Sequence, residues 1–137
     1  MDKTPIIIIG VIIIIAVAVF WGVSKTTPPN VAVSPAPLPE GIVLFFGDGC
    51  SHCKNVEDFI ATNSIESKVS FTRLEIPYGT KTSLELQANA SLVGELALRC
   101  NLDISNGIGI PFLWDGQNCL VGDEPTINFF KDKAGIQ

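Results

Sequence analysis

Cys50-Ser51-His52-Cys53 holds two thiols three residues apart, a spacing that brings both sulfurs to one turn of a helix and within bonding reach. At a helix N-terminus the unbonded amides and the macrodipole favour an anion. The first sulfur, Cys50, is therefore expected to be exposed and held as thiolate below the ordinary thiol range. Thiolate is the attacking species in disulfide exchange, and Cys53, one turn further in, is placed to resolve a mixed disulfide. Ser51 and His52 lie between the two sulfurs and tune them. An imidazolium there favours the thiolates, stabilises the reduced form and makes the disulfide more oxidising.

Other uses of a C-x-x-C pair are served less well. Cys100 and Cys119 could complete a zinc site, but they stand 19 residues apart rather than in a second C-x-x-C. Transfer of a soft cuprous ion would call for a further thioether or imidazole, and the chain's only Met is Met1 and its only His is His52. Haem attachment needs His after the second cysteine, where Lys54 stands. A purely structural Cys50–Cys53 disulfide would close almost no loop and add little stability. No metal is expected.

The elements that must position the pair follow from the hydrophobic pattern. Ile42 to Phe46 is a short continuous apolar run, suited to a strand covered on both faces. Gly47-Asp48-Gly49 breaks it. Cys53, Val56, Phe59 and Ile60 then repeat at helical spacing, so a helix starts at the first cysteine and ends near Asn63. Val69 to Ile76 reads as a second strand, stopped by Pro77 and Gly79. Thr82 and Glu85 fit a capping box, opening a long helix with Leu84, Ala88, Leu92, Val93, Leu96 and Ala97 inward and its end near Cys100. Gly107 to Trp114 is loop and then strand around Pro111. Asp115-Gly116 starts a hairpin turn, and Cys119 to Val121 returns as a strand. Pro125, placed near the first helical position, opens a last helix through Phe129 and Phe130 to about Lys133. The expected order is β-α-β-α-β-β-α, an α/β domain over residues 40–137. No internal repeat is visible.

Ahead of that domain come three other segments. Residues 1–5 are a short tail. Residues 6–23 are apolar except for Gly10 and Gly22, and as a helix they span about 27 Å, close to a hydrocarbon core of about 30 Å. Trp21 stands near its end, where an indole favours the interface. The stretch runs five residues past Ala16-Val17-Ala18, the best cleavage site a signal peptide would have, so an uncleaved single-pass anchor is expected. Residues 24–39 carry Pro28, Pro29, Pro35, Pro37 and Pro39 among small residues and read as an extended spacer. Lys3 and Lys25 balance, so charge leaves orientation undecided. The cysteines place the domain outside the cell membrane, in an oxidising compartment. From Glu40 onward 13 acids face 7 bases, a balance that argues against nucleic-acid binding.

The combination of strand, C-S-H-C, helix and a later Gly-Ile-Pro-Phe-Leu-Trp resembles the thioredoxin superfamily over Gly41 to about Lys133. F-F-G-D-G-C-S-H-C-K-N-V-E is similar, more narrowly, to small membrane-tethered thioredoxin-like domains of bacterial envelopes. The resemblance implies that Cys50 attacks, Cys53 resolves, Pro111 is a cis-proline facing the pair, and Ile110 lines the substrate groove. Three positions depart from the family pattern. Leu44 stands where many members carry a buried acid that helps move the resolving proton, Gly49 replaces an aromatic, and Ser51 replaces the proline of oxidising pairs. Cys100 and Cys119 are buried thiols, a resolving or relay pair or, as an oxidising compartment favours, a structural disulfide. Asn89-Ala90-Ser91 matches a glycosylation sequon by chance, inside a helix. The function expected is thiol–disulfide exchange with protein substrates, more oxidase or isomerase than reductase, with a membrane redox partner to recharge the pair. The reaction needs no dissociable cofactor. A metal-handling module and a non-catalytic interaction domain are the rival expectations.

Overall fold

The computed structural model describes residues 37–137, which fold as one unit from Pro37 to Gln137. The apolar stretch at residues 6–23 and most of the Pro-rich segment lie outside the described residues. Among the described residues no helix is long and apolar enough to cross a membrane.

Four strands and three α-helices appear in the expected order: β1 (Val43–Phe46), α1 (Ser51–Thr62), β2 (Thr72–Glu75), α2 (Leu84–Arg99), β3 (Phe112–Trp114), β4 (Cys119–Val121) and α3 (Asp123–Ala134). The sheet runs β2-β1-β3-β4, with β1 parallel to β2 and the other pairs antiparallel. The mixed sheet has a core on each face. Val43 and Phe45 of β1, with Phe112 and Trp114 of β3, pack against Val93, Leu96 and Ala97 of α2. Leu44 and Leu113 point the other way, onto Val56 and Ile60 of α1 and Phe130 of α3. The period-2 alternation of strand side chains thus gives β1 two buried faces, as its unbroken apolar run requires.

Several boundaries differ from the sequence expectation. Val69 is buried but outside the β2 ladder, because a 3₁₀ turn at Ile65–Ser67 precedes it and the Lys68 and Val69 amides still donate to the Ile65 carbonyl. Ser83, not Thr82, caps α2, its hydroxyl accepting from the Leu86 amide at 3.2 Å. Packing buries Leu86 with Val93, Leu96 and Ala97, and leaves Leu84 86% exposed, with Ala88 exposed as well. α2 ends in a Schellman motif in which Asn101, at φ +56°, takes the left-handed position and the Leu102 amide donates to the Ala97 carbonyl at 3.0 Å. α3 begins two residues before Pro125, which sits third in the helix. Proline is tolerated there because first-turn amides have no intrahelical partner. At its other end the domain reaches further back than Glu40: Leu38 packs against the core, and the Trp114 indole donates to the Pro39 carbonyl at 3.2 Å.

Cys100, the C-cap of α2, and Cys119, the first residue of β4, are joined by a disulfide with Cα atoms 6.1 Å apart. The bridge clips the end of a helix to an edge strand. Replacing both cysteines by serine is expected to lower unfolding free energy by about 3 kcal/mol, the chain-entropy value for a loop near this length. Denaturant titration measures it, and a loss below about 1 kcal/mol would leave the bridge without a stabilising role.

Candidate active site

β1 runs out into the turn at Gly47-Asp48-Gly49, whose geometry depends on its glycines. Gly49 takes φ +81°, a left-handed conformation that side chains rarely adopt. Gly47 allows a close approach: a Cβ on it would lie 2.7 Å from Tyr78 Cβ and 2.9 Å from Ile110 Cδ1. The turn closes with the Cys50 amide donating to the Gly47 carbonyl at 3.2 Å.

Cys50 is the N-cap of α1. Its Sγ accepts from the Cys53 amide at 3.2 Å, the place a serine or aspartate oxygen takes in most helices. Cys50 and Cys53 are bonded as a disulfide with Cα atoms 5.2 Å apart. The expectation of an exposed Cys50 is corrected here, since the residue is only 6% accessible. The Ile110–Pro111 peptide is cis, and the Ile110 carbonyl lies 3.9 Å from Cys50 Sγ. That loop and the turn after β1 close around the residue, while Ser51 and His52 remain exposed. Pro111 itself is buried at the start of β3. The pair, its two intervening residues and the Ile110–Pro111 corner therefore come together as expected. Cys100 and Cys119, bonded to each other, form a separate pair.

His52 has a partner that the sequence reading missed. Its Nδ1 lies 3.1 Å from Asp123 Oδ2, and the same oxygen accepts from Asn55 Nδ2 at 2.6 Å. Asp123 is the first residue of α3, where helix amides also favour a carboxylate. The Asn55 amide first, and the His52 ring second, hold the Asp123 carboxyl down at about 2. The helix starts at Asp123, two residues before the Pro125 at which the sequence predicts it to open.

A cleft of about 670 Å³ opens beside Cys50, with Lys54, Glu57, Glu75 and Lys81 among its walls. Its charges are paired. Lys81 Nζ lies 2.5 Å from Glu75 Oε1 and 3.4 Å from Asp48 Oδ2, and the Glu75 contact holds the lysine above its ordinary range. Lys54 pairs with Asp58 at 2.9 Å, and Glu57 with Arg73 at 2.6 Å. Leu44 is fully buried. The sequon residue Asn89 is engaged in packing, its amide donating to the Glu75 carbonyl at 2.8 Å. Among the described residues no group of three or more His, Cys, Asp or Glu is disposed to hold a metal ion. Compared with family models, curated proteins and solved structures, the chain matches none.

Two outcomes follow from this geometry. Gly47→Ala should cost about 1–3 kcal/mol in unfolding free energy, the range for overpacking a closed site; a neutral change would mean that Tyr78 and Ile110 yield freely. The depressed pKa of Asp123 gives a stability term that is complete above its unfolded value, about pH 4. The term is lost as pH falls through about 2. Urea titrations of wild type and Asp123→Ala should therefore converge toward low pH, and a difference constant with pH would refute the assignment.

Proposed function

We propose that the protein is a thiol–disulfide oxidoreductase with a thioredoxin-like fold, tethered to the membrane by residues 6–23 and acting outside the cell on protein thiols and disulfides. The observation that carries this reading is the Cys50–Cys53 disulfide at the head of α1, with Cys50 Sγ capping the helix and the carbonyl of a cis X-Pro peptide 3.9 Å away. An N-cap is where a sulfur anion is best accommodated, because the amide that would otherwise lack a partner points at it. A disulfide whose reduced form is stabilised in this way is a ready oxidant.

In the oxidising direction a client thiolate attacks Cys50 Sγ. The Cys50–Cys53 bond breaks, and Cys53 leaves with the electron pair as thiolate and takes up a proton. A second client thiol, losing its proton, attacks the client sulfur of the mixed disulfide and releases Cys50 as thiolate. The client has then lost two electrons and the pair has gained them. A membrane redox partner, accepting those two electrons, would restore the disulfide. Reduction of a client is the same sequence in reverse. The small exposure of Cys50 fits an exchange in which the client is aligned along the Ile110–Pro111 corner before its sulfur arrives.

The test is a glutathione redox titration of the full-length chain in detergent, with alkylated cysteines assigned peptide by peptide by mass spectrometry. A Cys50–Cys53 midpoint near about −120 to −180 mV is expected for an oxidase or isomerase. One near about −270 mV would make the protein a reductase. Cys50→Ser should abolish exchange with a peptide disulfide, and Cys53→Ser should trap the mixed disulfide. If Cys50→Ser retains full activity, or the pair never cycles, the domain is an interaction module and the exchange reading fails.

A further inference from the structure

We propose that Asp123 is a counter-charge to His52 and that the two together set the redox poise of the Cys50–Cys53 pair. The inference rests on the redox reading above and adds a positioning residue to it. His52 lies between the two cysteines, and its side chain is 67% exposed, free to turn toward solvent. Instead its Nδ1 sits 3.1 Å from Asp123 Oδ2. Asp123 in turn is held by Asn55, in the same first turns of α1, at 2.6 Å, and by its place as the first residue of α3. The carboxylate is thus fixed from two helices, and its charge stands beside the helix end that carries both sulfurs.

The neighbouring charges do not duplicate this role. Lys54 is engaged by Asp58, Lys81 by Glu75 and Asp48, and Glu57 by Arg73. His52 and Asp123 are the pair built onto the C-x-x-C turn itself. An imidazolium there stabilises the thiolates and makes the disulfide more oxidising; a carboxylate opposes it. With the ring charged, replacing the carboxylate by an amide removes a negative charge and makes the local charge more positive. Removing the ring leaves an unopposed negative charge. The two single substitutions must therefore move the equilibrium in opposite directions, and together they must nearly cancel.

The experiment is the glutathione equilibrium of full-length wild type, Asp123→Asn, His52→Ala and the double variant in detergent, at about pH 6, where imidazoles carry charge. Asp123→Asn should raise the equilibrium constant for reduction of the pair about threefold, and His52→Ala should lower it about threefold, the size expected of a largely exposed ion pair. The double variant should return close to wild type, and Asp123→Glu, which keeps the charge, should stay there. A packing role alone would lower the melting temperature of the single variants without moving the constant. Single variants that leave the constant unchanged, or move it the same way, overturn the counter-charge while leaving the exchange reading intact. A wild-type pair that never cycles takes both down.

Discussion

β1 has neighbours on both sides in the sheet and helices over both faces. Val43 and Phe45 are committed to one core and Leu44 to the other, so the strand can neither slide nor rotate without exposing a full set of side chains. Its C-terminal end is consequently a fixed point. Three residues of turn later the chain enters α1, whose Val56 and Ile60 are buried against the same strand. Cys50 thus occupies a place dictated from both directions. The cis peptide at Ile110–Pro111 is delivered from the adjacent strand, since β3 pairs with β1 through Phe112 and Phe45. The sulfur pair and the carbonyl facing it are brought together by the register of two central strands, through the turn after β1 and the short loop before β3.

Around this rigid pair the electrostatics are local and mutually compensated. Each lysine and acid named at the cleft has an opposite partner, and exposed pairs of this kind contribute little to stability. What they can do is shape the field at the sulfurs. In the proposed exchange that matters more than stability, because a modest change in the relative stability of thiolate and disulfide shifts the direction in which electrons run. His52 and Lys54 on α1, Asp123 on α3 and Asp48 in the turn before Cys50 are among the groups positioned to shape that field, and Leu44 on β1 is apolar and buried.

How far the sequence could be read varied with the physics behind each element. β1, the C-x-x-C helix, the Asp115-Gly116 hairpin and the Ile110–Pro111 corner were legible because each carries a strong local signal: a continuous apolar run, a cysteine spacing, turn residues, or an X-Pro step. Thr82 and Ser83 are both good caps by residue type, and local pattern does not decide between them; the Ser83 hydroxyl is the one that accepts from the Leu86 amide. Leu84 and Ala88 share a face at i, i+4 spacing, yet the face that packs is the one that holds Leu86, Val93 and Ala97. Pro125 misled for a similar reason, since proline fits any position in the first turn and so marks a helix start only to within about three residues. The His52–Asp123–Asn55 contact was illegible. It joins residues about 70 positions apart, and nothing in local pattern announces which surface carboxylate a histidine will meet.

The Trp114–Pro39 hydrogen bond has a mechanical meaning. β1 and β3 are antiparallel, with Val43 opposite Trp114 and Phe45 opposite Phe112. Pro39, held by Trp114, therefore docks at one end of the sheet, while Cys50 and the Ile110–Pro111 corner stand at the other. A pull applied at Pro37 would enter the fold at Trp114 and the first residue of β1. It would load the backbone ladder along the strand direction, in shear, where several hydrogen bonds share it at once. The sulfurs and the Ile110–Pro111 corner stand at the far end of that ladder from the point where such a pull enters.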